Sequence, residues 1–343
     1  MKECAEIEGY VPGTSLKEVA LKHAGKVVNL ASNENPYGAS PKALEAFRNF
    51  TELHRYPDPR YAELREKIAD YTGWDFEEIV VAAGIDGVLE TIFRFAVAEG
   101  DEVLLAPPTF SYYRILAKLS CARIVEAKRN ENFEVVNASE LVSGKTRLAI
   151  FCSPNNPTGN LENFEEVRAV AESIKGLVVV DEAYVEFADR SFEPTENVVI
   201  ARTFSKAFGL ANLRVGYARL PAEVAETFRK VSSPFPISTA SERAAIAALE
   251  DVEWMKSCVE KIKRGRERLY RFLSKKFVTW RSQANFVLFR GFEGLDIELA
   301  KRGVLIRECS SFGLPQHYRV TVGREEEIAT FEEALEDVLC SSR

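Results

Sequence analysis

The run Arg202-Thr203-Phe204-Ser205-Lys206-Ala207-Phe208-Gly209 sets a lysine among small hydroxyl side chains, and Arg214 follows eight residues after that lysine. A lysine that attacks a carbonyl needs a neutral, nucleophilic amine. Hydroxyls and a guanidinium beside it suit a bound phosphate. A second candidate is Asp181-Glu182-Ala183-Tyr184, where the aspartate closes the apolar stretch Leu177-Val178-Val179-Val180. A carboxylate at the end of a buried strand is costly unless it faces a cation. Ser153-Pro154-Asn155-Asn156-Pro157-Thr158-Gly159 is a proline-asparagine-glycine turn. Ala83-Gly84-Ile85-Asp86-Gly87 follows Ile79-Val80-Val81 and leads into a helical stretch. A glycine turn at a helix N-terminus is an anion site in principle. Taken singly, each motif also has a plain reading as a loop lysine, a capping aspartate or a turn.

The elements that must position these residues alternate. Val103-Leu104-Leu105-Ala106, Leu148-Ala149-Ile150-Phe151, Leu177-Val178-Val179-Val180 and Val198-Val199-Ile200-Ala201 read as buried strands with helical stretches between them. Continuous apolar strands imply a mostly parallel sheet covered on both faces. Ligands of such sheets bind beyond the carboxyl ends of the strands, and the polar motifs lie at those ends. Ser40-Pro41 supplies an N-cap and a first-turn proline for a helix. From about Ser233 the pattern changes. Ser238 to Lys276 reads as long helices, and Phe286-Val287-Leu288-Phe289 and Tyr318-Arg319-Val320-Thr321-Val322 read as short strands.

Composition narrows the function classes. The 343 residues, 46% hydrophobic, suffice for one large and one smaller domain. A net charge of −7 argues against a general nucleic-acid surface but permits a local anion site. The first residues, Met1-Lys2-Glu3-Cys4-Ala5-Glu6, lack the apolar core of a secretory signal. No stretch reaches the roughly 18 apolar residues of a membrane span. The six cysteines are scattered without paired spacing, so neither a disulfide framework nor a zinc site is expected. With only His23, His54 and His317, a histidine-rich metal site is not expected either. The expectation is a cytoplasmic protein without a metal, a nucleic-acid partner or a membrane. Gly144-Lys145-Thr146 mimics the tail of a phosphate-binding P-loop, but Ser139 stands where that loop needs glycine.

The motifs occur together in one order. They are Asn33-Glu34-Asn35-Pro36-Tyr37-Gly38, Arg55-Tyr56-Pro57-Asp58-Pro59, Gly84-Ile85-Asp86, Pro108-Thr109-Phe110, Pro154 to Gly159, Asp181 to Tyr184, Thr203 to Lys206, Arg214 and Arg319. This set resembles the fold-type-I pyridoxal-phosphate (PLP) dependent aminotransferases, over nearly the whole chain. Within that family the likeness is to the histidinol-phosphate aminotransferases. It is carried by Tyr10-Val11-Pro12-Gly13, the Asn33–Gly38 run, Tyr56 to Pro59, and Val304-Leu305-Ile306-Arg307 followed by Arg319. Two departures stand out. Ile85 replaces the small polar residue usual in relatives, and Pro234-Phe235-Pro236-Ile237 lacks the asparagine common after Pro-Phe.

The resemblance implies an α/β fold: a large domain with a mostly parallel central sheet sandwiched by helices, plus a smaller α+β domain. The implied boundaries are an arm over 1–28, the large domain over 29–232 and the small domain over 233–343. It implies PLP held covalently by Lys206, whose freed amine then moves a proton on the substrate. Asp181 would face the pyridine nitrogen, Tyr184 and Asn156 the phenolic oxygen, and Phe110 one face of the ring. Gly84, Ile85, Asp86, Thr203, Ser205 and Arg214 would hold the cofactor phosphate, with Tyr56 reaching it from the other subunit of a homodimer. Arg319, Arg307, Asn35 and Tyr10 of the arm would contact the substrate.

The implied reaction is transamination between L-histidinol phosphate and 2-oxoglutarate, giving imidazole acetol phosphate and L-glutamate, in histidine biosynthesis. An aromatic amino-acid aminotransferase would share every cofactor residue and differ around Tyr10, Arg307 and 234–237. A threonine-phosphate decarboxylase would also bind a phosphorylated amine, but the 33–38 and 56–59 signals count against it. A catalytically dead relative acting as a binding protein is opposed by intact Lys206, Asp181, Tyr184 and Arg214.

Overall fold

The computed structural model describes Gly9 and residues 27–341, so the greater part of the expected arm, with Tyr10, lies outside the described residues. Seven strands form the main sheet, in spatial order Ile79–Ala83, Val215–Arg219, Val198–Thr203, Leu177–Asp181, Thr146–Cys152, Glu102–Leu105 and Arg123–Glu126. Only Val215–Arg219 runs antiparallel to its neighbours; the other pairings are parallel. The four apolar runs expected as strands are the centre of this sheet.

Their continuous apolar character has a direct cause. Successive side chains on a strand point to opposite faces. Val179 and Val199 pack into one core with the helix Gly84–Ala96. Val178, Val180 and Val198 pack into another with the helix Phe164–Ser173. With helices on both faces, neither side of these strands can be polar.

A four-stranded antiparallel sheet, in order Val278–Thr279, Phe286–Arg290, His317–Thr321 and Arg307–Glu308, follows the helices Thr239–Leu249 and Val252–Leu273. Several contacts tie the chain's halves together. Val28–Asn29 pairs in parallel with Val304–Leu305. Thr239–Leu249, just beyond the expected boundary at 233, packs against the helices Pro41–Arg48 and Ala62–Thr72. The first of those helices begins as expected: Ser40 Oγ accepts from Ala43 N at 3.2 Å, and Pro41 needs no partner for a missing N–H. Among the described residues no helix is long and apolar enough to cross a membrane.

Candidate active site

The carboxyl ends of three adjacent strands meet at one level. Cys152 pairs in register with Asp181, and Asp181 with Ala201, two residues before Thr203. A cavity of about 590 Å³ opens there. Its walls include Ile85, Asp86, Phe110, Asn156, Asp181, Tyr184, Thr203, Ser205, Lys206, Arg214, Arg307 and Arg319, each of them expected from the sequence. Four cationic side chains (Lys206, Arg214, Arg307, Arg319) face three carboxylates (Asp86, Glu90, Asp181). In a chain of net charge −7 this is a local cationic excess, suited to anions.

Lys206 is half-buried, and its Nζ donates to Ser32 O at 3.4 Å. Desolvation foremost, then the Arg319 charge, lowers its pKa from 10.5 to about 8. A neutral amine is therefore accessible near neutral pH, as a carbonyl nucleophile requires. Asp181 is 4% exposed. Burial pushes its carboxyl up from 3.8 to about 6, against hydrogen bonds from Tyr113 Oη at 2.6 Å and Ala183 N at 3.0 Å. No lysine, arginine or histidine among the described residues forms an ion pair with it. It is a buried carboxylate on the cavity wall with no cation paired to it among the described residues.

At the N-terminus of the helix Gly84–Ala96 no side chain caps the helix, and Gly84 takes φ +74°. A Cβ at Gly84 would meet only the flexible tip of Arg214, Nη2 at 2.8 Å, so it is the positive φ that calls for glycine. Arg214, itself at φ +53°, donates to Asp86 Oδ2 at 2.9 Å. Burial raises the Asp86 carboxyl pKa, with Arg214 acting the other way. Thr203 Oγ1 and Ser205 Oγ lie 2.9 Å apart beside this corner. Ile85 offers no polar side chain, only its backbone amide.

Arg307 and Arg319 are directly opposed on neighbouring antiparallel strands, and both line the cavity. Like charges opposed in this way repel, and an anion in the cavity would offset that repulsion. Arg307 Nη2 donates to Ser311 Oγ at 3.0 Å. Arg319 bonds Asn156 Oδ1 through Nη1 and donates to Ala31 O through Nη2 at 2.6 Å. With its oxygen turned to Arg319, Asn156 keeps its amide N–H groups for the cavity.

Three expected residues are not in the cavity wall: Gly84, which leads the helix beside it, Asn35 and Tyr56. Asn35 does not line the cavity. Its Nδ2 donates to Ala207 O at 2.7 Å and its Oδ1 accepts from Tyr37 N at 2.9 Å, so it braces the residue after Lys206. Tyr56 is 81% exposed and stacks on Phe235, with ring centroids 4.7 Å apart, outside the cavity.

Other wall residues were not anticipated: Asn33, Glu90, Tyr112, Tyr113, Cys152 and Phe312. Asn33 was part of a quoted motif but carried no role. It adopts φ +54°, donates from Nδ2 to Tyr184 Oη at 3.0 Å and accepts from Thr321 Oγ1 at 3.0 Å. A non-glycine residue held in the left-handed region is a signal only coordinates reveal.

A buried strand-end carboxylate, a lysine of lowered pKa and a glycine-led helix N-terminus around one cavity are the working parts of a lysine-dependent transferase. The chain belongs to the class I and II aminotransferases, whose family profile matches residues 25–335. It is 56% identical over 317 residues to histidinol-phosphate aminotransferase 1 of Archaeoglobus fulgidus, covering 91% of this chain and 99% of that one. It is 38% identical to the histidinol-phosphate aminotransferase of Methanococcoides burtonii, over 98% of each chain. The crystal structure of histidinol-phosphate aminotransferase from Sinorhizobium meliloti, in complex with pyridoxal-5'-phosphate, superposes with a TM-score of 0.87 at 27% identity. That match covers 97% of this chain and 96% of the other.

Proposed function

We propose that the protein is a PLP-dependent transaminase acting in histidine biosynthesis. It moves the amino group of L-histidinol phosphate to 2-oxoglutarate, giving imidazole acetol phosphate and L-glutamate. The observation that carries the substrate reading is the opposed pair Arg307 and Arg319 on the cavity wall. Two arginines lining one cavity suit a dianionic phosphate, where one would serve a carboxylate. The named relatives support the same choice.

The walls also fit the cofactor. Asp181 is a buried carboxylate lacking a cation, which a protonated ring nitrogen supplies. The uncapped helix N-terminus at Gly84, Ile85 and Asp86, with Thr203, Ser205 and Arg214, suits the phosphate. Phe110 offers an aromatic face. Tyr184 Oη and the Asn156 amide suit the phenolic oxygen. When bound, PLP supplies an aldehyde for amine exchange and a conjugated ring that accepts the electron pair released at the substrate carbon. Lys206 Nζ would hold the cofactor. As a positioned amine it would also move the proton at the substrate carbon, a transfer worth about 10²–10⁴-fold. Arg319 and Arg307 hold the substrate anion and orient the carbon toward Lys206.

The working unit in this reading is a cytoplasmic homodimer with shared sites. Exposed Tyr56 and Phe235, with Leu53 and Phe47 also exposed nearby in sequence, suit a second copy of the chain. Tyr56 then serves the neighbour's cofactor phosphate. The deciding experiment is half-reaction kinetics with histidinol phosphate, phenylalanine, tyrosine and glutamate. Histidinol phosphate should give the highest kcat/KM among the aromatic-ring donors. A preference for phenylalanine or tyrosine moves the assignment to an aromatic amino-acid aminotransferase.

A further inference from the structure

Tyr113 opens the second position of the helix Tyr112–Leu119, three residues after Phe110, and its side chain is fully buried. Its hydroxyl donates to Asp181 Oδ2 at 2.6 Å, while Ala183 N donates to Asp181 Oδ1 at 3.0 Å. Its ring meets the Phe110 ring edge-on, with centroids 5.6 Å apart and planes at 84°. One side chain thus touches both the aromatic face of the cavity and the carboxylate on the sheet below it.

The other groups that face Asp181 are the Cys152 thiol beside it in register and the carboxylates of Asp86 and Glu182. The thiol donates to Pro154 O at 3.3 Å and also lies against the Tyr113 hydroxyl, and two carboxylates can only oppose a third negative charge. Tyr113 is the one side-chain donor to Asp181 among the described residues. A hydrogen bond to the charged form favours that form, which works directly against burial. It also engages a single lone pair of Oδ2. An ionised carboxylate accepts at about four sites, so acceptor capacity remains on the cavity side.

We propose that Tyr113 is a positioning residue that keeps Asp181 ionised and aims its remaining lone pairs into the cavity, at the ring nitrogen of the cofactor. The inference rests on the PLP reading of this site. It separates Tyr113 from a merely packed core tyrosine, because its effect must pass through the ring nitrogen.

The test measures binding, not turnover. Apo-enzyme is titrated with PLP and with 1-deaza-PLP, in which C–H replaces the ring nitrogen. Wild type should bind PLP more tightly than the analogue. Tyr113→Phe should cut that preference by roughly tenfold, the scale of one charge-assisted hydrogen bond, by weakening PLP binding and sparing the analogue. Equal weakening of both, or an unchanged preference, overturns the role of Tyr113 while leaving the cofactor reading intact. Wild type that binds PLP with no preference over the analogue removes the link between Asp181 and the ring nitrogen, and the inference with it. Wild type that binds neither overturns the cofactor reading itself. If Tyr113→Phe does not fold, Tyr113→Met also lacks the donor and fills the space flexibly, and the same outcomes apply.

Discussion

Replacing Asp181 by asparagine should separate stability from turnover. The carboxyl is 4% exposed and titrates at about 6, because burial outweighs the bonds from Tyr113 and Ala183. Its ordinary value is 3.8, so the ionised form is disfavoured in the folded, cofactor-free protein by about 3 kcal/mol. The folded pKa lies above the unfolded one. The penalty is therefore full above about pH 6, shrinks as pH falls and is gone below about pH 4. Asparagine removes the penalty but places an amide N–H₂ against one of the two donors, Tyr113 Oη or Ala183 N. Leaving one such donor unsatisfied costs about 1–3 kcal/mol. At neutral pH the two effects nearly cancel, and the cofactor-free variant should be as stable as wild type or more stable by up to about 2 kcal/mol. Near pH 4 only the cost remains, and wild type should be the more stable. Urea unfolding of both cofactor-free proteins across this range reads the difference directly, and that difference should change by about 3 kcal/mol. With PLP bound, turnover of the variant should fall by about 10²-fold or more, the scale of a removed electrostatic contact. A stability difference that stays constant with pH would refute the argument that Asp181 is a desolvated, cation-free carboxylate.

Lys206→Ala should abolish the protein-bound cofactor absorbance, the borohydride-trappable cofactor and nearly all turnover; trapping that persists would place the attachment on another lysine. Arg307→Ala should lower kcat/KM for histidinol phosphate by about 10–100-fold, since one charge-assisted hydrogen bond contributes roughly 1.5–3 kcal/mol. The loss for phenylalanine should be smaller, and equal losses for the two donors would mean that Arg307 does not read the phosphate. Mixing inactive Lys206→Ala and Tyr56→Ala chains should restore part of the activity, because a mixed dimer carries both defects in one site and neither in the other. With subunit exchange verified, an absence of complementation would contradict shared sites.

The strand-end motifs were legible because their chemistry and their local structure coincide in the chain. An apolar run such as Leu177–Val180 must be a strand buried on both faces, and the first polar residue after it, Asp181, must then sit on the ligand-binding rim. The same logic placed Thr203, Ser205 and Lys206 after Val198–Ala201, and Gly84 to Asp86 after Ile79–Val81. Local signals were enough there because each side chain's position follows from the strand that carries it. The opposition of Arg307 and Arg319 was not legible, since it depends on the antiparallel register of two strands separated by a loop. Nor was the role of Asn35, whose amide bonds Ala207 across 172 positions of sequence. Tyr113 and Asn33 carry ordinary residue types in ordinary local patterns. What distinguishes them is a partner brought close by the fold, Asp181 for one and Tyr184 for the other. The sequence alone determined which groups stand at the ends of the strands. Only the packing of sheet, helices and the small antiparallel sheet decided which of those groups share a hydrogen bond or a charge, because such pairs form between segments whose separation along the chain carries no periodic or compositional trace.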